Sequence, residues 1–333
     1  MFDFPRTTMH PEGYHGHGKR PPFFEGWYYK LVDPTEQHRY AIIPGIYLAP
    51  DAGKTHAFVQ ILNGKTGQVV YHSYPGADFV CPPAQLDIRL GPNRFTAQSL
   101  VLDVAEPGFH MRGEVSFPKI HPWPVTLASP GIMGWYAWAP FMECYHGVVS
   151  LDHAIQGSLL VNDQPVDFTG GRGYTEKDWS KSFPSAWVWM QTNHFPEPGV
   201  SLSASLAIIP WIRRSFPGFI VGLWLHGRLF RLATYTGAHL EELTLTDQNV
   251  QWAVRDGRHR LEMTAARSTG GLLKAPSTLE MDRRVVESLQ ASVTVRLTEW
   301  PGGGLVFEGT GRHAGLEVGG EMERLLAMAQ ALR

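Results

Sequence analysis

Residues 170–191 read GGRGYTEKDWSKSFPSAWVWMQ, and the interpretation of the whole chain starts from this stretch. Its opening glycines free the backbone for a tight turn. Tyr174, Glu176 and Asp178 then alternate, and in an extended segment alternate side chains point to one face. The stretch therefore predicts a strand that carries a phenol and two carboxylates on a single face.

A second strand is predicted directly after the break at Phe183-Pro184. There Trp187, Trp189 and Gln191 alternate, so one strand face would carry two indoles and an amide. Composition alone favours solvated carboxylates and ordinary core tryptophans. Acids this close in sequence to an aromatic wall are nevertheless typical of a site.

Charge and composition exclude several classes of partner. The 333 residues include 29 Lys+Arg and 31 Asp+Glu, and charged residues make up only 18% of the chain, with eleven tryptophans. No basic run is present, so the chain lacks the electrostatic signature of a nucleic-acid-binding protein. Cys81 and Cys144 are too few for a disulfide framework or a zinc cluster. A neutral or apolar small molecule is the expected ligand, and no metal is expected.

The first residues do not resemble a targeting signal. No apolar run of signal-peptide length occurs there, and the longest apolar run, residues 200–212, is broken by Pro210. We therefore expect a soluble, cytoplasmic protein. His10, His15 and His17 lie among glycines and prolines without a thiol partner, which is typical of a solvated tail.

Short strands separated by turn residues run through almost the whole chain. A hairpin is predicted where residues 55–62 and 68–72 flank Asn63-Gly64, and only residues 321–332 show helical spacing. Many short antiparallel strands suit β-barrels rather than an open sheet. The length predicts two domains, which we place at 1–168 and 169–333.

Ionisable groups interrupt two further aromatic clusters. FFEGWYYK, residues 23–30, holds Glu25 among rings, and GWYAWAPFMECYHG, residues 134–147, holds Glu143 and His146. Such groups, when buried, need partners or acquire shifted pKa values. Both clusters are therefore candidate parts of a site.

Three blocks carry a resemblance to a known family. FFEGWYYK at residues 23–30, GWYAWAPFMECYHGVVSL at 134–151 and GGRGYTEKDWSKSFPSAWVWMQTNHF at 170–195 closely resemble the tocopherol cyclase family and its bacterial relatives. The resemblance implies an all-β fold of two lipocalin-like antiparallel β-barrels, to which the pattern adds a short C-terminal helix. It also implies closure of a chromanol ring on a prenylated hydroquinone, without redox change and without a cofactor. One departure is Ser180, where glycine is expected in many relatives.

Ring closure of this kind requires a protonated acid beside an alkene. Protonation gives a tertiary cation, which a phenol oxygen then attacks. An Asp or Glu remains protonated at neutral pH where an apolar pocket raises its pKa. Glu176 and Asp178 are the predicted acids, and Tyr174 or His146 would hold that proton or accept the phenol proton.

Aromatic faces stabilise a passing cation and exclude water, which assigns this role to Trp27, Trp187 and Trp189. Gln191 or Asn193 would orient the quinol oxygens. The full set of predicted substrate-binding residues is Glu25, Trp27, Tyr29, Trp135, Trp138, Glu143, Trp179, Trp187, Trp189, Gln191 and Asn193.

Other functions use the same features. Carotenoid hydratases, which the family resembles more distantly, would protonate the same alkene and admit water. A lipid carrier would need the apolar barrel without an acid, and a structural protein would explain the aromatics as core packing. The Tyr-x-Glu-x-Asp pattern favours an enzyme, with a peripheral membrane contact as one route to its substrate.

Overall fold

The chain is built mainly from antiparallel strands. A computed structural model describes residues 4–83 and 85–332, and turns or short 3₁₀ segments connect its strands. The predicted all-β class is confirmed. Neither helix of the described residues has the length and apolarity needed to cross a membrane.

The described chain packs into two compact units. The first contains Met1–Phe183 and Leu272–Arg284, and the second contains Pro184–Gly271 and Val285–Arg333. The division thus falls after the strand that contains Glu176, whereas the predicted boundary at 168/169 precedes it. The reason is strand pairing, because that strand is hydrogen-bonded to two strands of the first unit.

The first unit contains a short helix, followed in chain order by the strands that end at or before Ser180. These elements are α1 Phe4–Thr8, β1 Phe23–Val32, β2 Arg39–Leu48, β3 His56–Asn63, β4 Val69–Pro75, β5 Phe79–Val80, β6 Asp87–Leu90, β7 Asn93–Thr96, β8 Ser99–Glu106, β9 Phe109–Ser116, β10 Val125–Thr126, β11 Ser129–Pro130, β12 Cys144–Ala154, β13 Gln156–Val161, β14 Gln164–Asp167 and β15 Arg172–Ser180. A 3₁₀ segment, Gly131–Trp138, joins β11 to the loop before β12.

Two larger sheets organise this unit. One has the order β12-β15-β1-β2-β3-β4, and the other has the order β14-β13-β9-β8-β7-β6-β5. The predicted hairpin is confirmed, since β3 and β4 pair from His56 opposite Pro75 to Leu62 opposite Val69. Its loop is closed by Asn63, whose side-chain oxygen accepts a hydrogen bond from the Lys65 N–H at 3.0 Å.

β1 and β15 are buried on both faces. Nine of the ten residues of β1 are buried, and seven of the nine in β15. A strand covered on both sides usually reads as a continuous apolar run. Here it contains charged residues instead, and each of these needs a partner.

The segment Leu272–Arg284 belongs to the first unit, although the chain before and after it belongs to the second. It contains most of β23 Gly271–Ala275, and the Gln60 side chain bonds both backbone groups of Lys274, at 3.2 and 2.8 Å. The Tyr47 hydroxyl donates to the Ser277 carbonyl at 3.2 Å. The local sequence pattern does not indicate that this segment packs with the first unit.

The second unit contains the strands β16 Ala186–Thr192, β17 Val200–Trp211, β18 Arg214–Leu225, β19 Arg228–Ala233, β20 His239–Leu245, β21 Asn249–Arg255, β22 His259–Ala266, β24 Arg283–Glu299, which begins in the first unit, and β25 Leu305–Gly320. They form a sheet with the order β19-β18-β17-β16-β25-β24-β22-β21-β20. Aliphatic and aromatic side chains, which occupy nearly every second position along these strands, form one apolar core.

The predicted C-terminal helix is present as α2 Met322–Gln330. Leu325 and Ala329, four residues apart and therefore on one face, join the core of the second unit. Closure of either unit into a lipocalin-like barrel stays a prediction, because the described strand orders are those of sheets with two end strands.

Candidate active site

The neighbours of β15 fix where its side chains point. β15 pairs with β1 on one side and with β12 on the other. Tyr174, Glu176 and Asp178 occupy alternate positions and share one face of the sheet. On β12, His146 lies directly opposite Asp178. The register thus brings the four predicted catalytic residues to one face, and we call these four the acid cluster.

An imidazole bridges the two carboxylates of the acid cluster. His146 Nδ1 lies 2.9 Å from Asp178 Oδ1, and Nε2 lies 3.4 Å from Glu176 Oε2. The Tyr174 hydroxyl donates to the same Glu176 oxygen at 2.5 Å. Hydrogen bonds thus join Tyr174 to Glu176 and His146 to Asp178, and an ion-pair contact between His146 and Glu176 links the two pairs.

Exposure differs across the cluster. Tyr174 is fully buried, and the side chains of Glu176 and His146 are 6% and 12% exposed. The Asp178 side chain is 31% exposed. Asp178 is therefore the member of the cluster most accessible to a ligand or to water.

The two carboxylates control the protonation of His146. Burial lowers the pKa of this imidazole, but the charges of Glu176 and Asp178 and the hydrogen bond to Asp178 reverse that effect and raise it to about 9. The ring is consequently an imidazolium at neutral pH. An apolar pocket was expected to keep one of the two acids protonated, and the structure instead places an imidazole between them.

His146, Glu176 and Asp178 are also the residues that could hold a metal ion, since their ligand atoms lie within 4.8 Å of one another. One imidazole and two carboxylates suit several divalent ions. An imidazolium paired with two carboxylates brings the same atoms as close together as a metal ion would. In that protonated form the ring has no free lone pair for a metal.

Two further residues lie on this face that were not predicted from the sequence to belong to the site. Lys30 is fully buried and lies across from Tyr174, and Tyr28 lies across from Glu176. Strand alternation therefore points both side chains toward the acid cluster. The available signal was a lysine inside an aromatic strand, and the register that gives it meaning comes only from the pairing of β1 with β15.

The opposite face of β15 holds a second set of ionisable groups, which we call the buried ion cluster: Glu25, Lys177 and His15. Lys177 Nζ contacts Glu25 Oε1, and the exposure of both side chains is 0%. Glu25 also accepts from the backbone N–H of His15 at 2.8 Å. Burial raises the pKa of Glu25, but Lys177 and His15 outweigh it and lower the pKa, so the carboxyl stays ionised.

His15 in this cluster is neutral. Burial, assisted by the charge of Lys177, lowers its pKa. Its Nε2 lies 3.1 Å from the Thr7 carbonyl oxygen. Its Nδ1 lies 2.9 Å from Glu25 Oε1 and 3.2 Å from Lys177 Nζ.

Three predicted aromatic contacts lie on this second face. Lys177 Nζ is 4.3 Å from the centroid of Trp27 and 4.7 Å from that of Trp179. Trp179 is stacked between His15 and Tyr145. Tyr29 donates to the Thr96 carbonyl at 2.9 Å. Trp27 is thus directed away from the acid cluster, and its expected place beside Glu176 or Asp178 is wrong.

The N-terminal segment covers the buried ion cluster. Trp27 Nε1 donates to the Glu12 carbonyl at 3.0 Å, and Lys177 Nζ donates to the Gly13 carbonyl. The interpretation of His15 as part of a solvated tail is wrong, because His15 is buried and contacts Glu25 on β1 and Lys177 on β15.

Trp135, Trp138 and Glu143 lie in and after the 3₁₀ segment. Trp135 is 46% exposed, and Trp138 Nε1 donates to the Leu127 carbonyl at 2.8 Å. Burial raises the pKa of Glu143, which accepts a hydrogen bond from Ser182 Oγ at 3.2 Å.

The remaining predicted residues belong to the second unit. Trp187 and Trp189 are buried on β16, and Trp187 Nε1 donates to Glu317 Oε2 at 2.7 Å. Gln191 and Asn193 are fully buried.

The fold and the acid cluster define a class of protein: an antiparallel β protein with a bridged pair of carboxylates. The family model described as tocopherol cyclase-like matches residues 114–320, which is more than half of the chain. The chain belongs to the tocopherol cyclase-like family. This match extends well beyond residue 195, where the last of the three sequence blocks ends.

Two plant proteins are similar over 92% of the chain and 77% of their own length. One, from Oryza sativa subsp. japonica, is named "Probable tocopherol cyclase, chloroplastic" and is 22% identical. The other, from Zea mays, is named "Tocopherol cyclase, chloroplastic" and is 23% identical.

Two solved structures share the fold. Kievitone hydratase from Nectria haematococca is 13% identical with a TM-score of 0.51, and AttH (NE1406) from Nitrosomonas europaea is 15% identical with a TM-score of 0.53. Each comparison covers 92% of this chain and 94% of the other. At these identities the likeness shows the fold alone.

Proposed function

We propose that this protein is a cyclase that closes a chromanol ring on a prenylated hydroquinone by protonating the prenyl double bond. The observation that carries the proposal is the position of the His146 imidazole between Glu176 and Asp178. Such a cluster stores a proton at neutral pH and connects it to a carboxylate that reaches the surface of the site. Membership of the tocopherol cyclase-like family supports the substrate class.

The reaction balances without an oxidant, a reductant or an added atom. A proton adds to the less substituted alkene carbon, and the tertiary carbon becomes cationic. The phenol oxygen attacks that carbon and forms the ring C–O bond. The phenol proton then returns to the acid cluster, so the product has the mass of the substrate.

The members of the acid cluster have distinct proposed roles. Asp178, the most exposed member, delivers the proton, and His146 supplies it through the 2.9 Å hydrogen bond. Glu176, held by Tyr174, keeps the imidazole protonated between turnovers. Tyr28 and not Trp27 is the ring of β1 that strand alternation places on this face for cation stabilisation.

A hydratase is the second candidate, and one observation favours it. The partial exposure of Asp178 would let water reach the cation. One solved structure of the same fold is a kievitone hydratase. Hydration would add the mass of one water to the product, which separates the two activities in a single measurement.

The test is incubation of the purified protein with a panel of prenylated hydroquinones, followed by mass spectrometry of the products. We expect a product of unchanged mass that has lost one phenol. General acid catalysis contributes about 10²–10⁴-fold, so Asp178→Asn should lose turnover in that range while still binding substrate. Glu176→Gln should lose less, because it removes a charge that supports the imidazolium.

The control is Glu114→Gln, which changes an exposed carboxylate on β9. Wild-type turnover in both Asp178→Asn and Glu176→Gln would place the proton donor elsewhere. Binding of every quinol on the panel without turnover by the wild type would instead indicate a carrier.

A further inference from the structure

A group of large apolar side chains is exposed on the first unit within a short part of the chain. Val125, Leu127, Trp135 and Phe141 are all classed as exposed, and Leu127 and Phe141 are 75% and 53% exposed. Contiguous exposed apolar surface on a folded protein marks an interaction site more often than scattered residues do. We call these four residues the apolar patch.

Contacts fix the segments of the apolar patch against one another. The β10–β11 hairpin is tied to the 3₁₀ segment by the hydrogen bond from Trp138 Nε1 to the Leu127 carbonyl. Trp138 also packs edge-on against Phe4, with ring centroids 6.4 Å apart. Leu127 therefore projects from a hairpin that is braced by an indole.

The apolar patch adjoins a cavity of about 110 Å³. Pro140 and Met142, on either side of the exposed Phe141, both line this cavity. A volume of this order holds about a single ring, since an engineered 150 Å³ cavity binds benzene. The cavity could therefore admit one end of a ligand, and the remainder of that ligand would stay outside.

The cavity connects cations to the acid cluster. Lys19, Arg20 and Lys181 line it and are exposed, and His146 is also among its lining residues. Glu176 and Asp178 do not line it, so the cavity reaches the acid cluster only at the imidazole. The three exposed cations thus line the same cavity as His146, Pro140 and Met142.

We propose that the apolar patch and these three cations dock the protein on the surface of an anionic lipid bilayer. This inference rests on the proposed function, because a prenylated hydroquinone partitions into bilayers. Tryptophan favours the membrane interface, and leucine and phenylalanine insert among acyl chains. Lysine and arginine near the surface attract anionic headgroups, which selects this occupant over a neutral apolar partner.

The experiment is cosedimentation of the full chain with phosphatidylcholine vesicles, with and without phosphatidylserine. We expect binding that requires phosphatidylserine and weakens as salt is added. Leu127→Glu combined with Phe141→Glu should weaken binding at least tenfold. Lys19→Glu combined with Arg20→Glu should weaken it by at least about fivefold for each residue changed.

Matched controls are available in the same unit. Leu279 is 68% exposed and lies outside the patch, so Leu279→Glu should bind as the wild type does. Lys65→Glu, in the exposed β3–β4 loop, controls for loss of positive charge. Equal weakening in the controls, or binding that does not need phosphatidylserine, would overturn the proposal.

Two further measurements separate docking from catalysis and from self-association. With a hydroquinone dispersed in detergent, Leu127→Glu with Phe141→Glu should keep wild-type turnover, since docking is then bypassed. Vesicle binding by a wild type that turns over no quinol would contradict the proposed function and leave docking intact. Sedimentation equilibrium that shows a dimer lost in the same double variant would assign the patch to a second copy of the chain and overturn docking.

Discussion

The two faces of β15 hold ionisable clusters of opposite character. On one face Glu25 and Lys177 are sealed at 0% exposure and balance one negative with one positive charge, beside a neutral His15. On the other face the imidazole of His146 lies between two carboxylates, and the buried Lys30 is directed to the same face. The strand is the same, and only the parity of the residue number separates the clusters.

The contrast shows which buried charges are available for chemistry. In the buried ion cluster each charged group has a full set of partners, including the backbone of the N-terminal segment, so moving a proton would leave an unpaired charge in an apolar site. In the acid cluster the partners of the carboxylates include a phenol and an imidazole, which can themselves exchange protons, and Asp178 is partly exposed. We therefore expect the first cluster to determine stability and the second to determine activity.

The largest effect should come from breaking the buried ion cluster. Lys177→Met leaves the Glu25 carboxylate buried without its cation, which should lower the free energy of unfolding by about 3–5 kcal/mol. Urea titration of wild type and variant measures this. Adding Glu25→Gln to Lys177→Met should recover part of the loss, because it removes the stranded charge.

The matched control is Lys181→Met, an exposed lysine just after β15, which should change stability little. If Lys177→Met were as stable as this control, the cluster would not hold the fold together. The folded Lys177→Met protein should keep nearly the wild-type turnover, because Lys177 lies on the face of β15 opposite the acid cluster.

A smaller effect is expected from pH through His146. Its pKa is raised from 6.5 to about 9, so its contribution to stability is complete below pH 6.5 and is lost as the pH rises through about 9. The contribution should be on the order of 3 kcal/mol. Denaturant titrations of wild type and His146→Gln across this window measure it as a difference, which should shrink as the pH rises.

Turnover should fall over the same rise in pH, because the imidazolium supplies the proton. A difference between wild type and His146→Gln that stays constant across the window would contradict the raised pKa. Glu25→Gln is the comparison on the opposite face of β15. Its difference in stability from the wild type should not follow a histidine titration across this window, because the neighbouring His15 is already neutral at these pH values.

Local pattern was sufficient for part of the site. Alternation alone placed Tyr174, Glu176 and Asp178 on one face, because a strand of either register keeps period two. The hairpin of β3 and β4 and the helix α2 also followed from turn residues and spacing. The proximity of His146 to this face required the pairing of β12 with β15, which sequence spacing does not contain.

The errors have a common cause in non-local pairing. Trp27 was assigned to the acid cluster because indoles suit cations, but the register of β1 opposite β15 pairs it with Lys177 on the other face. His15 appeared to be in a tail because its partners, Glu25 and Lys177, lie on two separate strands. The placement of residues 272–284 in the first unit depends on contacts more than 200 residues apart in sequence.

The smallest expected effect concerns the residue at which β15 and its alternation of faces end. Ser180 has φ of 142°, in the region that favours glycine, and its Oγ donates to the Met142 carbonyl at 3.0 Å. Resemblance to the family predicted glycine at this position, and the backbone now gives the physical reason. Ser180→Ala loses the hydrogen bond and keeps the strain, whereas Ser180→Gly loses the same bond and relieves the strain.

We therefore expect Ser180→Gly to be more stable than Ser180→Ala by about 1 kcal/mol, measured as the difference in free energy of unfolding in urea. Ser182 is the matched control: it is also buried, and its Oγ donates to Glu143. It is not among the positive-φ residues, so there the order should invert, with alanine above glycine by about 0.5–1 kcal/mol. The same order at both positions would show that backbone strain at Ser180 does not set the end of β15.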